Sequence, residues 1–248
     1  MGINTDCQLN FMINLNDVTL VGIDGIGGDK KTAKAMKYSQ QGIDFGQSIL
    51  FSASNDRYDF CDTVQIERLT YDECQEFTLT KLIDYIKTDY MLIVQGDGFV
   101  VNADSWNLAF LDFDYIGAPW FTPHTFQNTK RWPIIHEQFA RSAGSYNVGN
   151  GGFSLRSKKL MTGVKNIYSE EYNSIPEDGV ICIGMRHKLE ELGCKFAPPD
   201  VAALFSCESR FVEFVYESEC GSCSDLSFGF HCGETHSDKV ELLEKVEL

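Results

Sequence analysis

The sequence has no long apolar run. Nothing in its 248 residues approaches the roughly 20 consecutive apolar positions of a membrane-spanning helix, so no membrane span is expected. Proline is scarce, at 6 residues, and no Pro/Ser-rich linker or internal repeat divides the chain. The simplest organisation is one domain over 1–248, with its core at about 17–235 and a charged C-terminal tail at 236–248. Positive charge is short: 21 basic residues stand against 36 acidic ones, for a net charge of −15. Such a surface repels phosphate backbones, so nucleic acid is not an expected partner. A small anion could still bind through local donors or a bridging cation.

Two further signals are missing. The start, "MGINTDCQLNF", has neither the basic patch nor the apolar core of a secretory leader, and Asp6 stands where a myristoylation motif needs Ser or Thr. The expected localisation is cytoplasmic. In a reducing compartment the nine cysteines do not predict a disulfide framework, and Cys7, Cys61, Cys74, Cys182, Cys194 and Cys207 read as buried free thiols.

What is present is an alternation of strand and helix patterns. "DVTLVGI" (17–23), "SILFS" (48–52), "TVQIERL" (63–69) and "YMLIV" (90–94) have the short apolar form of buried strands. Polar 30–41 and "EFTLTKLIDYIK" (76–87) carry helical spacing, as do 158–167 and 176–192. The spacing predicts an irregular excursion over 120–144, extended chain over 195–208 and a solvated terminal helix over 238–248. Alternation of this kind indicates an α/β fold with a mostly parallel sheet flanked by helices. Such sheets bind ligands at the carboxyl ends of their strands.

Four clusters carry chemistry. In "QGDG" (95–98) two glycines flank Asp97 where a buried strand ends, which suits a divalent-cation ligand or a simple turn aspartate. "NVGNGG" (147–152) concentrates residues that expose backbone N–H groups, either for a ligand or for a tight hairpin. Glu177 and Asp178 follow Pro176 at a helix start, where carboxylates complement the helix dipole or serve as a general base. Cys220, Cys223, His231 and Cys232 could form a structural zinc site, but no second pair follows at the usual spacing, so zinc is not expected there. A nucleotidyltransferase would want a triphosphate loop after the first strand, and "DGIGGDKK" (24–31) lacks the Gly-Lys-Ser/Thr of a P-loop.

Taken in order, Gln-x-Asp-Gly, "DYIGAPW" (114–120), "VGNGGFSLRS" (148–157), "EDGVICI" (177–183), "ALFSCE" (203–208) and "FGFH" (228–231) resemble the DUF5672 proteins. That family is regarded as glycosyltransferase-like with a GT-A fold, a Rossmann-type central mixed sheet. The resemblance implies transfer of a sugar from a nucleoside-diphosphate sugar to the hydroxyl of a glycan or other acceptor, inverting and assisted by Mn²⁺ or Mg²⁺. By the same resemblance Asp97 and His231 would be the metal ligands. Asp24, Lys81, Gln95 and Asp97 would bind the donor. Trp120, Asn150, Gly151 and Gly152 would line the sugar or acceptor pocket, and Asp178, with Glu177 beside it, would be the base. Gln95 departs from the Asp-x-Asp pattern, which keeps a degenerate carbohydrate-binding or interaction protein as the alternative.

Overall fold

The computed structural model describes residues 12–27, 30–120, 127, 129–142, 145–208, 226–231 and 237–248. In chain order the elements are β1 (Ile13–Asp24), α1 (Lys31–Ser39), β2 (Ile43–Ser52), β3 (Asp62–Gln65), α2 (Tyr71–Thr80) and β4 (Tyr90–Val94). Then follow β5 (Tyr115–Ile116), β6 (Ala118–Pro119), α3 (Pro133–Arg141), β7 (Val148–Gly149), β8 (Ser154–Ser157) and α4 (Lys158–Ile167). The last group is α5 (Glu177–Gly179), α6 (Arg186–Glu191), α7 (Pro199–Phe205), β9 (Ser206–Cys207), β10 (Gly229–Phe230) and α8 (Ser237–Val240).

Six strands form the central sheet in the order β3-β2-β1-β4-β8-β5. The first four run parallel, and β8 is antiparallel to both of its neighbours. The inner strands are buried on both faces because successive residues feed two different cores. Val21, Ile49, Phe51, Met91 and Ile93 face one, while Leu20, Leu50, Leu92 and Val94 face the other. Truncating one of these, for example Leu92→Ala, is expected to cost about 2–5 kcal/mol. From β1 the chain builds outward through β2 and β3, then returns to place β4 on the other side of β1. The sheet therefore reverses its winding between β1 and β4, and a crevice opens at their carboxyl ends.

Local chemistry fixes the flanking helices. Thr70 and Glu73 cap α2 reciprocally: Thr70 N donates to Glu73 Oε2 at 2.7 Å and Glu73 N donates to Thr70 Oγ1 at 3.3 Å. Ser157 Oγ accepts from Leu160 N at 3.0 Å to start α4. Close approach of α1 to the sheet needs Gly22, where a Cβ would lie 2.5 Å from Met36 Sδ.

Several expected segments take another form. The excursion at 120–144 contains α3, which begins at Pro133 and buries Ile135 and Phe139. Extended chain at 195–208 is interrupted by α7, again opened by a proline. The expected helix at 176–192 is broken into α5, a π-helical turn (Val180–Gly184) and α6. The third strand stops at Gln65, four residues early. The segment after α8 is a 3₁₀ turn (Glu241–Lys245) with Leu243 buried, so this part of the tail is packed rather than fully solvated.

Cys182 and Cys194 are free and buried as expected, while Cys61 and Cys74 are free but only half-buried. Cys207 is disulfide-bonded, which corrects its reading as a free thiol, and its partner lies outside the described residues. Among the described residues no helix is long and apolar enough to cross a membrane.

Candidate active site

A cavity of about 1100 Å³ occupies the crevice where the sheet reverses. The end of β1 contributes Asp24, Gly25, Ile26 and Gly27, and the end of β4 contributes Gln95, Gly96 and Asp97. Lys31, Thr32 and Lys34 enter from the first turns of α1. Tyr71, Cys74, Gln75 and Thr78 come from α2, and Gly151 and Glu177 close the inner wall.

Gln95–Gly98 is a tight reversal, closed by Gln95 N to Gly98 O at 2.8 Å and Gly98 N to Gln95 O at 3.1 Å. It projects Asp97 with half of its side chain exposed (51%). The glycines here serve close approach. A Cβ on Gly96 would lie 2.6 Å from Lys31 Cβ, and one on Gly98 would lie 2.8 Å from His231 Cδ2. A Cβ on Gly152 would come within 2.1 Å of His231 Nε2. His231 thus sits in a notch between two glycines from distant parts of the chain.

In that notch His231 Nε2 lies 3.8 Å from Asp97 Oδ1, and Nδ1 lies 3.6 Å from Glu208 Oε1. Burial acts to lower the imidazole pKa, but the carboxylates of Glu208 and Asp97 outweigh it and the pKa is raised. Among the described residues no three His, Cys, Asp or Glu side chains gather as a metal cluster. Ligands at about 2.1 Å in octahedral geometry lie about 3.0 Å apart when adjacent and about 4.2 Å apart when opposite, so the Asp97–His231 pair at 3.8 Å would have to close by about 0.8 Å to hold one cation as adjacent ligands. Mg²⁺ is commonly held by one or two carboxylates with substrate phosphates completing the shell. Glu208 lies on the side of the far nitrogen at 3.6 Å, close enough for charge attraction but too long for a hydrogen bond, and Nδ1 is buried without a hydrogen-bond partner.

The inner wall is a buried polar network. Arg156 Nη2 donates to Glu177 Oε1 at 2.8 Å, and Glu177 N donates to Gln75 Oε1 at 2.9 Å. Tyr115 OH donates to Asn150 O at 2.7 Å, and Asn150 Oδ1 accepts from Gly152 N at 2.8 Å and Phe153 N at 3.2 Å. Those bonds hold Asn150 at φ 81°, a left-handed conformation that Asn tolerates. Three buried atoms of this network have no protein partner: Asn150 Nδ2, Arg156 Nη1 and Glu177 Oε2. Asp178 is half-buried beside it and accepts from Gly179 N at 2.8 Å. Burial, then the charges of Glu177 and Glu208, raise its pKa to about 7.

The expected site residues divide as follows. The structure brings Asp24, Gln95, Asp97, Gly151 and Glu177 to the cavity wall, with His231 beside Asp97. Asn150, Gly152 and Asp178 adjoin that wall in sequence. Asp24 also accepts from Gly27 N at 2.9 Å, which shapes the loop after β1. Lys81 is not on the wall: it is exposed at the end of α2, one turn past Thr78. Trp120 is off the wall too, its ring packed on Gly149, where a Cβ would lie 1.9 Å from Cζ2. The zinc reading at Cys220, Cys223 and Cys232 lies outside the described residues.

Residues the sequence did not single out include Lys31, Lys34, Tyr71, Arg156 and Glu208. Arg156 had a signal, a charge inside the strand-like "FSLRS"; Lys31 and Glu208 stood at the ends of the quoted "DGIGGDKK" and "ALFSCE" without being picked out, and Lys34 and Tyr71 had none.

A family model described as "Protein of unknown function (DUF5672)" matches residues 72–231. The chain belongs to this family. No curated protein matches it significantly. Among solved structures it is similar to galactosyltransferase LgtC in complex with donor and acceptor sugar analogs, at 13% identity and a TM-score of 0.50, over 92% of this chain and 94% of that one. It is also similar to a glycosyltransferase involved in the glycosylation of the major capsid of PBCV-1, at 13% identity and a TM-score of 0.48, over 92% of this chain and 99% of that one. At such identity the LgtC likeness establishes the fold. This DUF5672 chain has the GT-A arrangement, with a mixed, mostly parallel sheet between helices.

Proposed function

We propose that this DUF5672 protein is a glycosyltransferase that moves a sugar from a nucleoside-diphosphate sugar to an acceptor hydroxyl with inversion. The observation that carries this reading is the convergence of Asp24, Asp97 and Glu177 on one cavity at the sheet's point of reversal, with His231 beside Asp97. The nucleoside would enter past Asp24, with Ile26 and Tyr71, both more than half exposed, as apolar faces for its base. Asp97 and His231 would hold a Mn²⁺ or Mg²⁺, whose chemistry there is to neutralise charge on the departing diphosphate. Gln95 beside them offers an amide to the donor.

Asp178 is the base. It takes the acceptor's proton as the acceptor oxygen bonds to the anomeric carbon and the bond from that carbon to the diphosphate oxygen breaks. A pKa near 7 suits that task, because a base poised near working pH combines availability with driving force. Glu177, committed to Arg156, holds the helix start in place.

Gln95, in place of a first aspartate, favours a second reading as a carbohydrate-binding protein without turnover. Release of nucleoside diphosphate from a panel of nucleotide sugars, with Asp178→Asn as the control, separates the two. Turnover that the variant loses supports the transferase. Binding with no turnover in wild type supports the second reading.

A further inference from the structure

Residues 237–248 take part in the cleft. Leu243 and Val246 are buried with Ala33 and Met36 of α1 in one core, and Lys34 Nζ donates to the Leu243 carbonyl at 3.1 Å. With the segment fixed there, Val240, Glu241, Leu243 and Glu244 become part of the cavity wall. The other charged residues on that wall are Asp24, Lys31, Lys34, Asp97 and Glu177. The segment therefore does two things at once. It adds two exposed carboxylates to the wall, and it engages the ammonium of one of the wall's two lysines.

We propose that residues 237–248 form an acidic rim that filters the cleft by charge, disfavouring free anions. A bare phosphate or nucleotide meets Glu241 and Glu244 and finds one of the three Lys34 N–H donors already given to the Leu243 carbonyl, whereas a neutral ligand or a charge-compensated one does not meet that barrier. The filter's bearing on a nucleotide sugar rests on the function proposed above, but its existence does not.

Cys74 provides a reporter, because its free, half-buried thiol lies on the same wall. In the full chain, wild type and the double variant Glu241→Gln/Glu244→Gln are alkylated with iodoacetate or iodoacetamide, and the Cys74 peptide is quantified by mass spectrometry. Both reagents consume the same thiolate, so the ratio of their rates cancels the thiol's pKa and reports the local potential. Two charges acting through water over about 10 Å change a monoanion's local concentration about threefold at low salt. The iodoacetate-to-iodoacetamide ratio is expected to rise about that much in the variant at 10 mM salt and to match wild type at 1 M. An unchanged ratio at low salt overturns the filter. So does a rise that persists at high salt, which marks a change of shape rather than of charge. The readout needs no nucleotide, so failure of the transferase reading leaves it decisive.

Discussion

Arg156 Nη2 lies 2.8 Å from Glu177 Oε1, with the two side chains 0% and 9% exposed. This pair divides the labour of two adjacent carboxylates: Glu177 neutralises a buried cation, and Asp178 is left for chemistry. Burying either partner alone is costly, because the remaining charge has neither water nor a counter-ion. Arg156→Met and Glu177→Gln are each expected to lower stability by about 3–5 kcal/mol. Asp178→Asn, one residue away, is expected not to lower it. Urea unfolding of the three variants checks the division. Equal losses for Glu177→Gln and Asp178→Asn would contradict it.

Asp178 links activity to pH. Its pKa is raised from 3.8 to about 7 by burial first, then by Glu177 and Glu208. A carboxyl raised in the fold contributes stability that is complete below the unfolded value and lost as pH rises through the folded one. For this group the loss runs from about pH 4 to above pH 7. Asp178→Asn keeps the neutral form throughout, so at pH 8.5 it is expected to exceed wild type by about 1–3 kcal/mol while losing turnover. In wild type, kcat/KM should climb with unit slope and level off above about pH 7. Urea melts at pH 5 and 8.5, with a pH–rate profile, check both limbs.

The glycine notch around His231 is equally testable. Gly152→Ala places a methyl where His231 Nε2 now stands, at 2.1 Å from the added carbon. The imidazole must leave its present position, at a cost to stability of about 1–3 kcal/mol. Mn²⁺-dependent nucleotide binding is expected to fall at least tenfold in titration calorimetry. Gly179→Ala meets nothing closer than 3.8 Å and is the control, expected to bind like wild type.

Much of this was legible in the sequence, where local pattern decides structure. β4 and α4 have the expected bounds because a five-residue apolar run and a Ser-capped amphipathic stretch each admit one form. α3 and α7 lie in stretches expected to be irregular and extended, and each opens on a proline, Pro133 and Pro199, a residue that at a first turn starts a helix. The π-helical turn after α5 has no local signature, and Gly184 is there because Tyr172 and Ile135 press against it. Asp97 and Asp178 could be singled out because carboxylates beside glycines and at helix starts are visible in one dimension. Lys34, Glu208 and Glu244 could not. Their roles come from contacts that only the fold creates, Lys34 with Leu243 across 209 positions among them.

The most direct test of the central claim is thermal stability with a panel of nucleoside diphosphates and nucleotide sugars, with and without Mn²⁺, on wild type and Asp97→Ala. A ligand at a hundred times its Kd adds about 2.7 kcal/mol to stability, which is readily detected. The account predicts that one nucleotide family stabilises wild type when Mn²⁺ is present and that Asp97→Ala loses this response. Equal stabilisation of wild type and Asp97→Ala, or none by any nucleotide with the metal present, would contradict it.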